Sequence, residues 1–383
     1  MDISKILNEL EEDHEHYFGA VAPPLVQSSN FAFSSVEDFR KAVYNEQKIS
    51  LYTRGKNPTT HILCKKLAAL AGAEDALVFG SGSAAVSAAV ISLVAAGDHI
   101  ICQQHPYKWS EKLLTKILAK FGVEFTFVDG TDFKNFEAAV KPNTKLIYIE
   151  SPNSFTFELQ DIKAVVALAK KINAKTIIDN SYCTSLGQRC IEMGIDLEVH
   201  SLTKYYAGHS DVVAGGVIGS KELIAKIFTT GLQNIGGIIS PHDSWLVLRG
   251  MRTLPVRMKQ VAETTEKVIE FLVAHPRVEK VIYPFHESHP QYELAKKQML
   301  WSGGLFSFIL KAEKVEEVEA FANKLRAFKL AVSWGGYESL IYPACVAIQS
   351  ESYKGYLPFN IIRTYCGLES AEYLIADLKQ ALE

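Results

Sequence analysis

The stretch VHSLTKYYAGHSD, residues 199–211, sets one amine, Lys204, close behind the hydroxyls of Ser201 and Thr203 and ahead of Gly208. An amine held in such a setting suits covalent capture of a carbonyl. Asp179 ends the apolar run KTIID, where an ionised carboxylate is costly unless it meets a positive partner. Tyr107 follows the run DHIIC, and the segment GSGSAA, residues 80–85, stands directly before a helical pattern. Glycine there lets backbone amides approach an anion, and the helix N-terminus adds positive partial charge. Alone, that segment reads equally well as a tight turn, and Ala85 at the third-glycine position disfavours a dinucleotide fingerprint. Lys204 alone reads as a surface lysine. Together these residues fit one ligand, pyridoxal 5'-phosphate, whose aldehyde takes an amine as a Schiff base. Its ring nitrogen takes a carboxylate, its ring an aromatic face, and its phosphate takes hydroxyls and helix amides.

The elements that must position these residues are legible as an alternation. DALVF, DHIIC, VEFTFV, KLIYIE, KTIID and GGVIG are short apolar runs without strict polar alternation, as strands buried on both faces require. Helical patterns lie between them, among them AAVSAAVISLVAA, WSEKLLTKILAKFG and IKAVVALAKKINA. The alternation predicts an α/β fold with a mainly parallel sheet covered by helices, and a ligand at the carboxyl ends of its strands. After about residue 243 the rhythm changes to one long helical stretch and three strand-like runs, KVIYP, GLFSFIL and NIIRTYC, which predicts a smaller α+β domain. The division expected is an N-terminal arm over 1–50, a large domain over 51–243 and a small domain over 244–383. Ser370 is the expected N-cap of a final helix with Leu374, Ile375, Leu378 and Leu382 on one face.

Composition excludes several classes. With 40 basic against 43 acidic side chains and no block of like charge, nucleic acid is not an expected partner. The longest apolar stretch, 84–96, contains Ser87 and Ser92 and is far shorter than the roughly 20 residues of a membrane span. The acidic, amphipathic start resembles no secretory or mitochondrial signal, so the cytoplasm is the expected compartment. Six cysteines without CxxC pairing argue against a disulfide framework or a zinc knuckle and are read as reduced core residues. The pairs His14/His16 and His286/His289 have no evident ligand partners and are expected on the solvated surface, so no metal is assigned.

The sequence resembles the Cys/Met-metabolism family of pyridoxal-phosphate enzymes, of the aspartate-aminotransferase-like fold type I, over nearly its whole length. The resemblance rests on YTRGKNPT (52–59), GSGSAA (80–85), IDN (178–180), SLTKYYAGHSD (201–211), RGMRTLPVRM (249–258), SWGGYESL (333–340) and IIRTYCGLE (361–369). It implies that Lys204 carries the cofactor, Asp179 pairs with the ring nitrogen and Tyr107 stacks on the ring. It further implies that Ser201, Thr203 and the amides of Gly82 and Ser83 hold the phosphate. Tyr52 and Arg54 would bind the cofactor phosphate of a neighbouring subunit, in a homotetramer built as a dimer of dimers. Arg363 would fork onto the substrate's α-carboxylate, a task for a planar guanidinium.

Within the family, ESPNSFTFELQDI has Ser154 and Phe155 where many relatives have Asn-Pro, which leaves Asn153 as the nearest amide. That departure, and Trp334 after Ser333 in the substrate region, resemble the β-lyase branch. Trp109 stands where methionine γ-lyases typically have a cysteine. The expectation is therefore β-elimination of L-cystathionine, with Lys204 moving the proton and Tyr107 or Tyr52 assisting. γ-Elimination or γ-replacement, and a lyase-fold regulatory protein, stay open beside it.

Overall fold

A computed structural model describes residues 1–347 and 355–383. Seven strands form the first sheet: β1 (Asp75–Phe79), β2 (His99–Gln103), β3 (Glu124–Val128), β4 (Thr144–Glu150), β5 (Lys175–Asp179), β6 (Leu197–Ser201) and β7 (Gly215–Gly219). Their order is β1-β7-β6-β5-β4-β2-β3. β7 runs antiparallel to both its neighbours, and the remaining pairs are parallel. The expected mainly parallel sheet is thus present, and helices such as Gly82–Leu93 and Ile162–Lys171 cover it. The inner strands bury nearly every residue, whereas β3, at the edge, exposes Glu124 and carries Thr126.

A second sheet contains β8 (Val278–Ile282), β9 (Leu305–Leu310), β10 (Lys329–Leu330), β11 (Leu340–Pro343) and β12 (Ile361–Tyr365), in the order β10-β11-β12-β9-β8. The sequence pattern had indicated three of these strands. β10 and β11 escaped because two and four residues are too short to show a period. Its buried face packs on helices Leu254–Ala274, Val315–Lys324 and Ala371–Leu382. Ser370 caps the last of these by accepting from the Tyr373 N–H, and Leu374, Leu378 and Leu382 are buried while Ile375 is half-buried.

Two helical expectations change. The stretch that begins at Trp245 divides into helices Pro241–Arg252 and Leu254–Ala274, because Pro255 restricts the residue before it and supplies no amide to the preceding turn. The segment WSEKLLTKILAKFG forms one α-turn, a wider π-turn over Leu113–Ile117 and a tighter 3-10 turn that ends at left-handed Gly122. The uneven winding brings Leu113, Leu114 and Leu118 together into the core. All six cysteines are buried and unbridged. His289, expected at the surface, is buried, and that burial lowers its pKa to about 4. Among the described residues, no helix is long and apolar enough to cross a membrane.

The N-terminal segment is anchored by charge as well as by Ile6 and Leu7. Glu12, with a 2% exposed side chain, pairs with Lys66 (2.8 Å; 1% exposed) and with Arg252 (2.9 Å). Lys66 also donates to the Leu7 carbonyl at 2.8 Å. Removing one member of a buried pair strands the other charge. Glu12→Gln is therefore expected to destabilise the protein by about 3 kcal/mol, seen as a lower guanidinium midpoint. A midpoint equal to that of the parent protein would refute the role of this pair.

Candidate active site

Three strand ends and one strand of the second sheet converge on a cavity of about 730 Å³. β4 ends in Glu150 and β5 in Asp179, side by side in register, and β6 ends in Ser201. Lys204 lies on the turn just beyond. β12, from the second sheet, contributes Arg363. Parallel strands that end together present their polar terminal residues to one crevice.

The Lys204 turn is locked from two sides. Tyr205 reaches the second sheet, where its hydroxyl accepts from the Gly304 N–H at 2.7 Å. Tyr206 points behind the first sheet and meets Ser185 Oγ at 2.9 Å. Ser185 and His200 also bond to Glu198, at 2.7 Å each, in a fully buried network. Gly208 follows with φ +69°, and a Cβ there would lie 2.0 Å from the Arg257 guanidinium. Glycine is required at that position by conformation and by space alike.

So placed, Lys204 Nζ donates to Ser333 Oγ at 2.5 Å and sits 5.5 Å from the Trp334 ring centroid. Burial lowers its pKa to about 8; the Arg363 charge adds to this and Asp179 opposes it. Ser333 adopts φ +79°, a strained conformation for a non-glycine residue. Asp179 Oδ1 accepts from the Ser181 N–H (3.0 Å) and hydroxyl (2.6 Å). Burial raises its pKa, with the Ser181 bonds, His200 and Lys204 pulling the other way. A carboxylate so desolvated is stabilised by a cationic partner.

Helix Gly82–Leu93 is capped by Ser81, whose hydroxyl accepts from the Ala84 N–H. A Cβ on Gly82 would stand 2.9 Å from Ser201 Cβ and 3.1 Å from its Oγ. Absence of that Cβ brings the first-turn amides beside the Ser201 hydroxyl, which makes an anion cradle. Thr203 lines the cavity as well, although its hydroxyl already accepts from the Ala214 N–H (3.0 Å) and donates to the Ala214 carbonyl (3.2 Å). Tyr107 stands in the wall, held through its N–H to Glu150 Oε2 at 2.6 Å. Burial raises the pKa of its phenol, and Asp179 and Glu150 raise it further.

Arg363 lies 4.8 Å from the Phe155 ring centroid and 5.3 Å from that of Tyr342. Among the described residues no carboxylate forms an ion pair with it, and burial lowers its pKa to about 10. A half-buried guanidinium facing a cavity with no carboxylate paired to it among the described residues favours an anionic ligand.

Two residues stand apart. Tyr52, 45% exposed, and Arg54, which donates to Gln233 Oε1 at 2.7 Å, do not line this cavity. The alternative asparagine does line the cavity. Asn153 donates to Glu158 Oε2 (3.0 Å) and accepts from the Thr156 hydroxyl and the Glu158 N–H, so its carbonyl oxygen and one of its two amide hydrogens close its own loop. Sequence reasoning also missed Glu150, an acid that ends an apolar strand as Asp179 does. An ionised acid at that position is as costly as Asp179 unless partners meet it.

A depressed amine, a desolvated carboxylate, an aromatic wall, an amide cradle and a cavity-facing guanidinium together fit the groups of pyridoxal 5'-phosphate and an amino-acid substrate. The chain matches the family described as Cys/Met metabolism PLP-dependent enzyme over residues 4–383. It is 40% identical over 374 residues to an L-methionine gamma-lyase of Treponema denticola, across 96% of this chain and 93% of that one. It is also 40% identical over 372 residues to a cystathionine beta-lyase of Lactococcus lactis subsp. cremoris, across 95% and 94%. Among solved structures, a putative O-acetylhomoserine (thiol)-lyase from Campylobacter jejuni superposes with a TM-score of 0.94 at 27% identity, over 100% of both chains. That structure carries a pyridoxyl-lysine phosphate. metB from Corynebacterium glutamicum superposes with a TM-score of 0.92 at 33% identity, over 100% of this chain and 98% of that one. The cofactor is pyridoxal 5'-phosphate, and the chain belongs to the Cys/Met metabolism PLP-dependent enzyme family.

Proposed function

We propose that the protein is a carbon–sulfur lyase that cleaves L-cystathionine by β-elimination to homocysteine, pyruvate and ammonia. The observation that carries the reading is the Lys204 amine, depressed to about 8 and bonded to Ser333 Oγ, with the Trp334 indole beside it. An amine poised near neutrality serves as base and then as acid within one turnover. Lys204 would hold the cofactor covalently, Asp179 would keep a proton on the ring nitrogen, and Tyr107 would cover a ring face. The amides of Gly82 and Ser83, with the hydroxyls of Ser201 and Thr203, would hold the phosphate. The bound cofactor supplies an electron sink that makes the proton on the substrate's α-carbon acidic.

Arg363 orients the substrate by its α-carboxylate, with Ser333 and Trp334 forming the adjoining wall. Lys204 would take the proton from the substrate's α-carbon and return it to the departing sulfur. Tyr107, which lines the same cavity, would assist. Tyr52 and Arg54, outside the cavity of their own chain, are assigned to the cofactor phosphate of a second copy, with Tyr52 able to assist there.

The surface around them supports assembly. Phe18, Val21, Phe39, Tyr44 and Tyr52 are exposed apolar or aromatic residues within one N-terminal stretch, and such residues, gathered into a patch, favour association. A homotetramer of two dimers, acting in the cytoplasm, is the assembly proposed.

A second reading, γ-elimination of L-methionine, draws support from the Treponema denticola relative at the same 40% identity. The two separate by product. Purified holoenzyme given L-cystathionine is expected to release pyruvate with homocysteine, and Lys204→Ala to release neither while retaining its circular dichroism in the far ultraviolet. 2-Oxobutyrate from L-cystathionine or L-methionine would move the assignment to γ-elimination, and normal turnover by the alanine variant would end both readings.

The depressed amine also sets a pH dependence. Neutral amine is the form that captures an aldehyde, and its fraction rises about tenfold per pH unit below the pKa. Cofactor-free protein should therefore bind pyridoxal 5'-phosphate faster as pH rises, levelling near 8. Arg363→Met removes one of the depressing charges and should move that midpoint upward; a midpoint that stays in place or falls would contradict the assigned cause.

Assembly is checked by light scattering on the holoenzyme. A mass of four chains is expected, and a monomer with full activity would exclude the shared-site role of Tyr52 and Arg54.

A further inference from the structure

Glu150 has no part in the reading above, yet it faces the cavity and is only 7% exposed. It lies in register beside Asp179, and both burial and that neighbouring charge push its pKa upward. Placing a second acid there is costly, so its contacts are informative. Three donors converge on it. Oε2 accepts from the Tyr107 N–H at 2.6 Å, while Oε1 accepts from the Ser154 N–H and hydroxyl, both at 3.1 Å.

The two oxygens therefore serve two different walls. Tyr107 opens the short helix Lys108–Lys112 and presents its ring to the cavity. Ser154 precedes Phe155, which packs against the Arg363 guanidinium. Phe155 has φ +71°, a conformation that a bulky residue keeps only when its surroundings hold it. Glu150 holds one side of this loop, and Asn153, through Thr156 and Glu158, holds the other.

Side-chain chemistry explains why the clamp is an acid. In its ionised form, which the Tyr107 and Ser154 donors favour against burial and Asp179, the carboxyl accepts on both oxygens, whereas a carboxamide of the same shape has one accepting end and one donating end. Glutamine could satisfy one wall only, since its NH2 would oppose an N–H on the other side.

We infer that Glu150 is a positioning residue that fixes the spacing between the Tyr107 wall and the Arg363 fork, and so the placement of the substrate's α-carboxylate against the reacting α-carbon. The inference rests on the proposed roles of Tyr107 and Arg363. A fork displaced in this way loses binding that the ground state and the transition state share, which raises KM with little change in kcat.

The test compares holoenzyme of the parent protein, Glu150→Gln and Ser154→Ala, on whichever of L-cystathionine and L-methionine the parent turns over. Glu150→Gln is expected to raise KM on the order of tenfold with kcat within about threefold. It should also weaken the visible circular dichroism of the bound cofactor, with Tm within a few degrees of the parent. Ser154→Ala loses only the hydroxyl bond to Oε1, so a rise in KM of about threefold is expected with the cofactor signal unchanged. An unaltered KM in both variants overturns the inference, as does a fall in activity that merely tracks loss of folded protein in both. Should Glu150→Gln not fold, the KM of Ser154→Ala alone decides. A parent protein inactive on both thioethers would overturn the lyase reading itself, and the Glu150→Gln cofactor signal would then decide the Tyr107 arm by its loss or persistence.

Discussion

Everything in this molecule answers to the cost of keeping ionised groups out of water at one point. Asp179, Glu150, Lys204 and Arg363 all border one cavity, and burial is the first cause of each of their shifted pKa values. The two acids are pushed up and the two bases down, each toward its neutral form. Local hydrogen bonds offset part of that cost. Ser181 serves Asp179, Tyr107 and Ser154 serve Glu150, and Ser333 takes the Lys204 proton donor. Arg363 lies over the rings of Phe155 and Tyr342. The residual demand for counter-charges is what makes the cavity receptive to an anionic cofactor and a zwitterionic substrate.

Holding such a cluster requires a rigid frame, and the two sheets supply it jointly. Tyr205, next to Lys204, bonds the second sheet through the Gly304 amide, and a Cβ at Gly303 would lie 2.1 Å from its hydroxyl. Tyr206 is fastened behind the first sheet to Ser185 and so to Glu198 and His200. A mutation in either network acts on the Lys204 turn without touching the cavity. One core cluster spans both sides of this junction, running from Leu63 and Leu67 through Tyr205 and Met251 to Leu305 and Tyr365.

Much of this was legible beforehand where a local rule applied. Apolar runs bounded by turn residues marked β1, β2, β4, β5 and β7 at or very near their observed limits, because strands buried on both faces need continuous apolar sequence. Ser370 announced its helix through the capping chemistry of its own side chain. The four-residue β11 and two-residue β10 were not legible, nor was the change of winding after Lys112, since each depends on what the segment packs against. His289 reads as a surface residue in sequence because nothing nearby in the chain tells of its burial.

The same division holds at the site. Residue types and order alone determined which groups could meet a cofactor of this kind: an amine among hydroxyls, an acid at a strand end, a glycine turn before a helix. Those choices rest on covalent chemistry and local backbone conformation, which the chain carries with it. Only the tertiary structure decided that Glu150 joins Asp179 and that Phe155 backs Arg363. Each of these depends on the register of neighbouring strands or on a contact between residues far apart in sequence, and burial, which sets their charge, exists only once the two sheets have closed around them.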